Sequence, residues 1–211
     1  MPYAVNAMPR RRSLTPDQLA AAALAVIDRD GLAGLSMRAV AQEIGMSTMA
    51  LYRYVDDRGE LEQLVIELVL STVDTGPPGT ASSWYERIEV MVGRLRGVVG
   101  AHPWIVPLII AHRHQSVAVL RWSETVVAIL AEAGLDGRDR VVALRCLLAY
   151  VVGAIQLEHL GPLAGPGTQV IADRGEFPQL SETARQAGGV GPGEEFDGGL
   201  AMLLRGMANG R

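Results

Sequence analysis

The sequence predicts an all-α fold in two domains, and three observations carry that expectation. Apolar residues recur at helical spacing along most of the 211-residue chain, and no run alternates as a half-buried strand would. Two segments open with a reciprocal capping signature, Thr15 with Gln18 and Ser83 with Glu86. Aromatic residues make up only 5%, while Ala, Leu and Val dominate and 24 glycines are available for turns.

Element by element, Thr15 caps a first helix with Pro16 at its first position. Leu19, Ala23, Val26 and Ile27 line one face, and Gly31 ends it. Ser36 caps a short second helix carrying Val40, Ala41 and Ile44, and Gly45 supplies a left-handed turn. Ser47 caps a very short third helix reaching about Tyr54. Asp56 or Asp57 opens a fourth, striped by Leu61, Leu64, Val65, Leu68 and Val69. Residues 74–82, with Gly76, Pro77, Pro78 and Gly79, break the period and read as the connection between domains. A helix from Ser83 aligns Ile88, Val92, Leu95 and Val99. Pro103 and Pro107 limit the next segment, and a helix over 117–133 ends at Gly134. Residues 138–160 are apolar nearly all round, so this helix is expected to be buried on more than one side. Residues 161–193 read as a Gly- and Pro-rich loop with one short helix at 178–187. Phe196, Leu200, Leu203, Leu204 and Met207 form the apolar face of a final helix.

Composition excludes several classes. With 19 cations, all arginine, against 23 carboxylates, the net charge is −4, so no chain-wide basic field exists. The single cysteine, Cys146, forms no internal disulfide, as suits a reducing compartment. Arg10 to Arg12 followed by residues 19–27 resembles an export signal, but Asp17 interrupts it. Asp28, Arg29 and Asp30 also stand where small residues should precede cleavage. Arg145 and Glu158 interrupt the apolar 141–160 run, and the uncharged part, 146–157, is too short to span a bilayer. A cytoplasmic protein without membrane contact is expected.

Residues 36–55 carry the functional signal. Two short helices meet at a glycine turn, and the second begins with small hydroxylated residues. In a helix-turn-helix the first helix braces the second, whose N-terminal side chains enter the major groove of DNA. Ser47 and Thr48 can donate to bases or phosphates, and the helix N-terminus favours an anion. Tyr52, Arg53 and Tyr54 add longer donors, and Arg38 can grip a guanine edge or a phosphate. Tyr52 could instead pack in the three-helix core, and Arg53 could be merely solvated. Residues 1–58 hold seven arginines and six acids, a balance that supports DNA binding only through where the arginines fall. Arg10 to Arg12 form a basic tail of the kind that can lie in a minor groove.

Over residues 15–70 the chain resembles the tetracycline-repressor family of bacterial transcriptional regulators. The likeness rests on Ala22 and Ala23, Gly31-Leu32, Gly34-Leu35-Ser36, Ala41, Ile44-Gly45, Leu51-Tyr52, Val55 and Leu61. A looser likeness to that family's C-terminal domain rests on His102-Pro103-Trp104, Glu195-Phe196, Gly199-Leu200 and Leu203-Leu204. The resemblance implies a three-helix DNA-binding domain over 13–73, with its helix-turn-helix at 36–55. It further implies a helical domain for ligand binding and dimerisation over 83–211. It implies a homodimer on a palindromic operator, most simply a repressor released by a small effector. Carried over by position, Arg38, Ser47, Thr48, Met49, Tyr52, Arg53 and Tyr54 face DNA, and Arg58 matches a phosphate-contacting position. Asp56 and Asp57 depart from the lysine or asparagine common there, and Met49 replaces a proline or polar residue.

In the C-terminal domain, Met91, Leu95, Trp104, Ile109, Trp122 and Tyr150 are the expected lining of an apolar pocket, with His102, His112 and Gln156 supplying hydrogen bonds. The alternative is that these apolar residues simply fill a core. By register from Trp84, Met91 and Ile109 occupy places where tetracycline repressors hold a magnesium-chelated drug. Neither serves a hard metal, so an uncharged or weakly polar organic effector without metal or cofactor is expected. Leu147 and Val151, with Phe196, Leu200, Leu203, Leu204 and Met207, are the expected dimer interface, two helices packing on their symmetry mates. His112 and His114 are two apart and face different directions, and no serine has a nucleophile-elbow context. An enzyme is therefore not expected. A carrier or enzyme keeping a DNA-binding head, and a constitutive regulator, are the competing readings.

Overall fold

In a computed structural model, which describes residues 14–79, 82–160 and 165–209, every regular element among the described residues is helical. The basic tail Arg10 to Arg12 lies outside the described residues, as do positions 161–164 of the Gly- and Pro-rich segment. The chain divides into two compact units, Met1–Leu68 and Val69–Arg211.

The first unit contains α1 (Pro16–Asp30), α2 (Met37–Glu43), α3 (Thr48–Leu51) and most of α4 (Arg58–Leu70). The Thr15 hydroxyl accepts from Gln18 N at 3.2 Å, and Gln18 Oε1 accepts from Thr15 N at 3.1 Å, so the expected box is present. Leu19, Ala23, Val26, Ile27, Val40, Leu51, Leu61 and Val65 make the core. An Arg29–Glu43 ion pair at 2.8 Å ties α1 to α2. The third helix is shorter than expected. It ends at Leu51, because Arg53 N and Tyr54 N bond back to Ala50 O and Leu51 O, three residues earlier, and the chain tightens into a turn. α4 begins at Arg58, with the Asp57 carboxylate accepting from Glu60 N at 2.9 Å.

The second unit contains α5 (Trp84–Gly100), α6 (Val106–His112), α7 (Val117–Glu132), α8 (Gly137–Leu160), α9 (Pro166–Ala172), α10 (Pro178–Ala187) and α11 (Pro192–Asn209). Ser83 and Glu86 form the predicted capping box. α5, α7 and α8 pack on one another, α11 packs on α8, and α9 pairs with α10. The unit starts before the 74–82 connector, and Leu70 and Val73 are already buried.

One expectation is corrected here, and another is met only in part. Within the single chain the buried residues of α8, Ala143, Leu147, Val151 and Ile155, form one seam at i+4 spacing, where burial on more than one side was expected. Val141, Val142 and Leu157 stay exposed, because α5, α7 and α11 cover only that seam. The 161–193 segment was expected to hold one helix and holds two. α9 is a short helix held by tertiary contact, with the Ser181 hydroxyl on α10 donating to Ile171 O at 3.0 Å.

One ion pair gives the second unit a pH dependence. Arg87, 6% exposed, donates to Glu132 at 2.5 Å, joining α5 to the end of α7. The hydrogen bond from Arg87, and then its charge, lower the Glu132 pKa. A depressed carboxylate pKa stabilises the fold above the unfolded-state value, and that contribution disappears as pH falls through the folded-state value. The stability advantage of the native chain over Glu132→Gln is therefore expected to shrink as pH drops from the ordinary carboxylate range downward. Urea denaturation of both proteins across that range checks it, and a pH-independent gap contradicts it.

Candidate nucleic-acid interface and effector cavity

The first site is built by caps. Ser36 Oγ accepts from Ala39 N at 3.1 Å, starting α2, and Ser47 Oγ accepts from Ala50 N at 3.2 Å, starting α3. Between them Gly45 adopts φ 68°, a conformation disfavoured for any residue with a Cβ, and Met46 N returns to Ala41 O at 2.9 Å. Leu51 and Val55, buried to 0% and 2% exposure, pin one face of α3 and its following turn to the core. The opposite face is therefore displayed.

On that face Met49 is 79% exposed, Tyr52 47% and Tyr54 40%, with Arg53 exposed beside them. Met49, Tyr52 and Arg53 follow i, i+3, i+4 spacing and share a side. Thr48 is half-buried, and the Ser47 hydroxyl keeps its proton for an outside acceptor while it caps. Arg38 is exposed at the start of α2, and neither it nor Arg53 has a partner among the described residues. The packing reading of Tyr52 is thus set aside by its exposure. Arg58 pairs with Glu62 at 2.7 Å, so a phosphate there competes with a carboxylate. Of the two aspartates expected to open α4, Asp57 is the one that caps it, while Asp56 N donates to Glu60 Oε2 at 2.7 Å.

The second site is an apolar cavity of about 50 Å³ within the C-terminal unit. Its walls are Leu70 at the end of α4 and Val73 just after it, Leu95 and Val99 on α5, Val106 and Ile109 on α6, Ala118, Val119 and Trp122 on α7, and Leu148, Val151, Val152 and Ile155 on α8. The one polar hydrogen among these side chains, the Trp122 indole N–H, is donated to Met91 O at 2.9 Å.

Of the nine residues assigned to a pocket from sequence, Leu95, Ile109 and Trp122 line this one. The other six stand elsewhere. Met91 is fully buried and supplies the carbonyl for Trp122. Trp104, 38% exposed, meets His159 edge-on at 4.2 Å. Gln156 donates to Pro103 O at 3.3 Å, and His102 and His112 are half-buried outside the walls. The Tyr150 hydroxyl donates to Phe196 O at 2.6 Å, with the rings 5.2 Å apart, fastening α8 to α11. Burial raises the Tyr150 pKa. Gly199 makes room for this contact, since a Cβ there would meet the Tyr150 hydroxyl at 2.3 Å.

The interface residues also divide. Leu147, Val151, Phe196, Leu200 and Leu204 are 0–3% exposed within the single chain and belong to its core. Leu203 and Met207 instead line a surface groove between α8 and α11, together with Val142, Cys146, Met202 and Gly206. Among the described residues no three His, Cys, Asp or Glu side chains gather as a metal site.

Comparison with known proteins gives the same picture. Residues 77–210 match the domain family described as tetracyclin repressor-like, C-terminal domain, and residues 19–61 match the bacterial regulatory proteins, tetR family. The transcriptional repressor DrrR1 of Streptomyces coeruleorubidus is 32% identical over 67% of this chain, a stretch spanning 53% of DrrR1. A helix-turn-helix regulator of Saccharopolyspora erythraea is 29% identical over 98% of this chain and 92% of its own length. ActR of Streptomyces coelicolor, solved in complex with actinorhodin, superposes with a TM-score of 0.80 at 25% identity, over 95% of this chain and 98% of that one. BioQ, solved with its double-stranded DNA operator, superposes with a TM-score of 0.67 at 25% identity, over 93% and 99%.

Proposed function

Given that this chain belongs to the tetracycline-repressor family of bacterial transcriptional regulators, we propose that it is a cytoplasmic, effector-responsive repressor. In this reading it binds a palindromic operator as a homodimer and is released by a small apolar molecule. The observation that carries the reading is the pairing of two features in one chain: an exposed face, Met49, Tyr52, Arg53 and Tyr54, and an apolar cavity in the other unit. BioQ with operator DNA and ActR with actinorhodin support the two halves separately.

Each side chain has a task. Arg53 and Arg38, which pair with no carboxylate among the described residues, grip base edges or phosphates. Tyr52 and Tyr54 donate to phosphates, Ser47 and Thr48 hold the backbone near the start of α3, and Met49 offers an apolar surface to a thymine methyl. α4 carries Arg58 at its first residue, and Leu70 at its last is a wall of the cavity. Effector binding favours a spacing of the two recognition helices that no longer fits the operator, and a tenfold release needs about 1.4 kcal/mol of coupling.

Dimerisation uses the exposed α8–α11 groove rather than the buried residues beneath it. Met202, 68% exposed, is its most accessible large side chain, and Met202→Arg is expected to convert the dimer to monomer without unfolding it. Sedimentation velocity with a parallel thermal melt checks this, and an unchanged dimer places the interface elsewhere.

Release of an inverted-repeat operator, followed by fluorescence anisotropy against a panel of apolar compounds with and without magnesium, tests the whole reading. Release only by metal-bound compounds overturns it.

A further inference from the structure

The cavity and its surroundings say more about the effector than that it is apolar. None of the thirteen wall side chains has a hydrogen bond to give, because the Trp122 N–H is already committed to Met91 O. A ligand hydroxyl or carbonyl placed wholly inside would lose its water partners without replacement. A space of about 50 Å³ accommodates a slender group, not a drug-sized ring system.

The corner where α6 meets α7 is chemically different. Residues 101–123 contain two arginines and three histidines and no carboxylate, although the chain as a whole carries 23 acids against 19 arginines. His112 follows the wall residue Ile109 by three positions, one turn along the same face of α6. Arg113 and His114 are exposed in the turn that follows, and the N-terminus of the 16-residue α7 leads directly to the wall residues Ala118 and Val119. Arg113 gives one N–H to Ile110 O and retains the rest of its donors.

We propose that the effector is an anionic amphiphile: a hydrocarbon chain fills the cavity, and its carboxylate head stays outside, held at the α6–α7 corner by Arg113 and its neighbours. This rests on the reading of the cavity as the effector site and refines it, placing the charge beyond the apolar walls.

The test is isothermal calorimetry on the full chain with straight-chain carboxylates of six to fourteen carbons, kept below micelle formation, and with primary alcohols of matched length. Affinity is expected to rise about fourfold per methylene until the walls are filled. Each carboxylate is expected to bind about tenfold tighter than its alcohol. Arg113→Gln, at an exposed position, is expected to erase that preference and leave alcohol binding unchanged. Ala118→Leu is expected to abolish binding of both series, with a thermal melt establishing that the variant is folded. Equal affinity of alcohols and carboxylates, or a carboxylate preference that survives in Arg113→Gln, overturns the head-group assignment. Alcohols that bind in the cavity and release operator DNA would then leave the effector-responsive repressor standing. Absence of binding by every chain length overturns the amphiphile, and the operator-release panel separately decides whether another apolar compound acts.

Discussion

Arg53→Ala is expected to weaken operator binding by about 1–3 kcal/mol, roughly five- to 150-fold, and Tyr52→Ala to act in the same direction. The argument is one of exposure without compensation. Arg53 has no carboxylate or carbonyl partner among the described residues, and Tyr52 leaves 47% of its surface in solvent on a face whose opposite side is locked by Leu51. Both side chains are exposed and outside the core of their unit, so a parallel thermal melt separates lost DNA contact from lost stability. Titration in a salt series separates the two ways Arg53 can act. If it holds a phosphate, the slope of log K against log salt falls by about one unit. If it reads a base, the slope holds and discrimination at one operator position relaxes. Unchanged affinity in both variants would remove α3 from the interface.

Trp122→Ala is expected to cost about 3–5 kcal/mol of folding stability, measured by urea denaturation. Trp122 is 2% exposed, forms a wall of the cavity and anchors α7 to α5 through its bond to Met91 O. Removal of the indole joins its own volume to a space that is already empty, so the surrounding helices gain little by relaxing. Trp122→Phe is expected to recover part of the loss, restoring ring volume but not the hydrogen bond. Trp104→Ala, at a residue 38% exposed, is the matched control and should cost far less. Equal losses at the two tryptophans would contradict the assignment of Trp122 to the core.

The contrast between these sites explains what the sequence made legible. Caps are local chemistry, so Thr15 with Gln18, Ser36, Ser47 and Ser83 with Glu86 could be read from spacing alone, and each recurs as a hydrogen bond. The exposed face of α3 was legible for the same reason: buried Leu51 and Val55 dictate which neighbours face outward. The cavity was only partly legible. Periodicity on α5, α6 and α7 gave Leu95, Ile109 and Trp122, but nothing local announces that Leu70, Val73, Leu148 and Val152 converge on them. The same limit misassigned Leu147 and Val151. An apolar helix shows that several faces are greasy, not which of them its own chain covers. α9 was missed because a seven-residue helix beginning Pro-Gly has little propensity of its own and depends on α10.

The cavity's lack of hydrogen-bonding obligations bears on how such a regulator diversifies. A polar binding site resists change, since altering one partner strands another. Here a Val, Ile or Leu exchange shifts the volume by a methylene at a cost of about 1 kcal/mol and orphans nothing. Cavity size and shape can therefore drift in small, individually tolerated steps, while α3, in a different compact unit, keeps its operator. Descendants of one such gene could watch the same promoter and answer to different molecules.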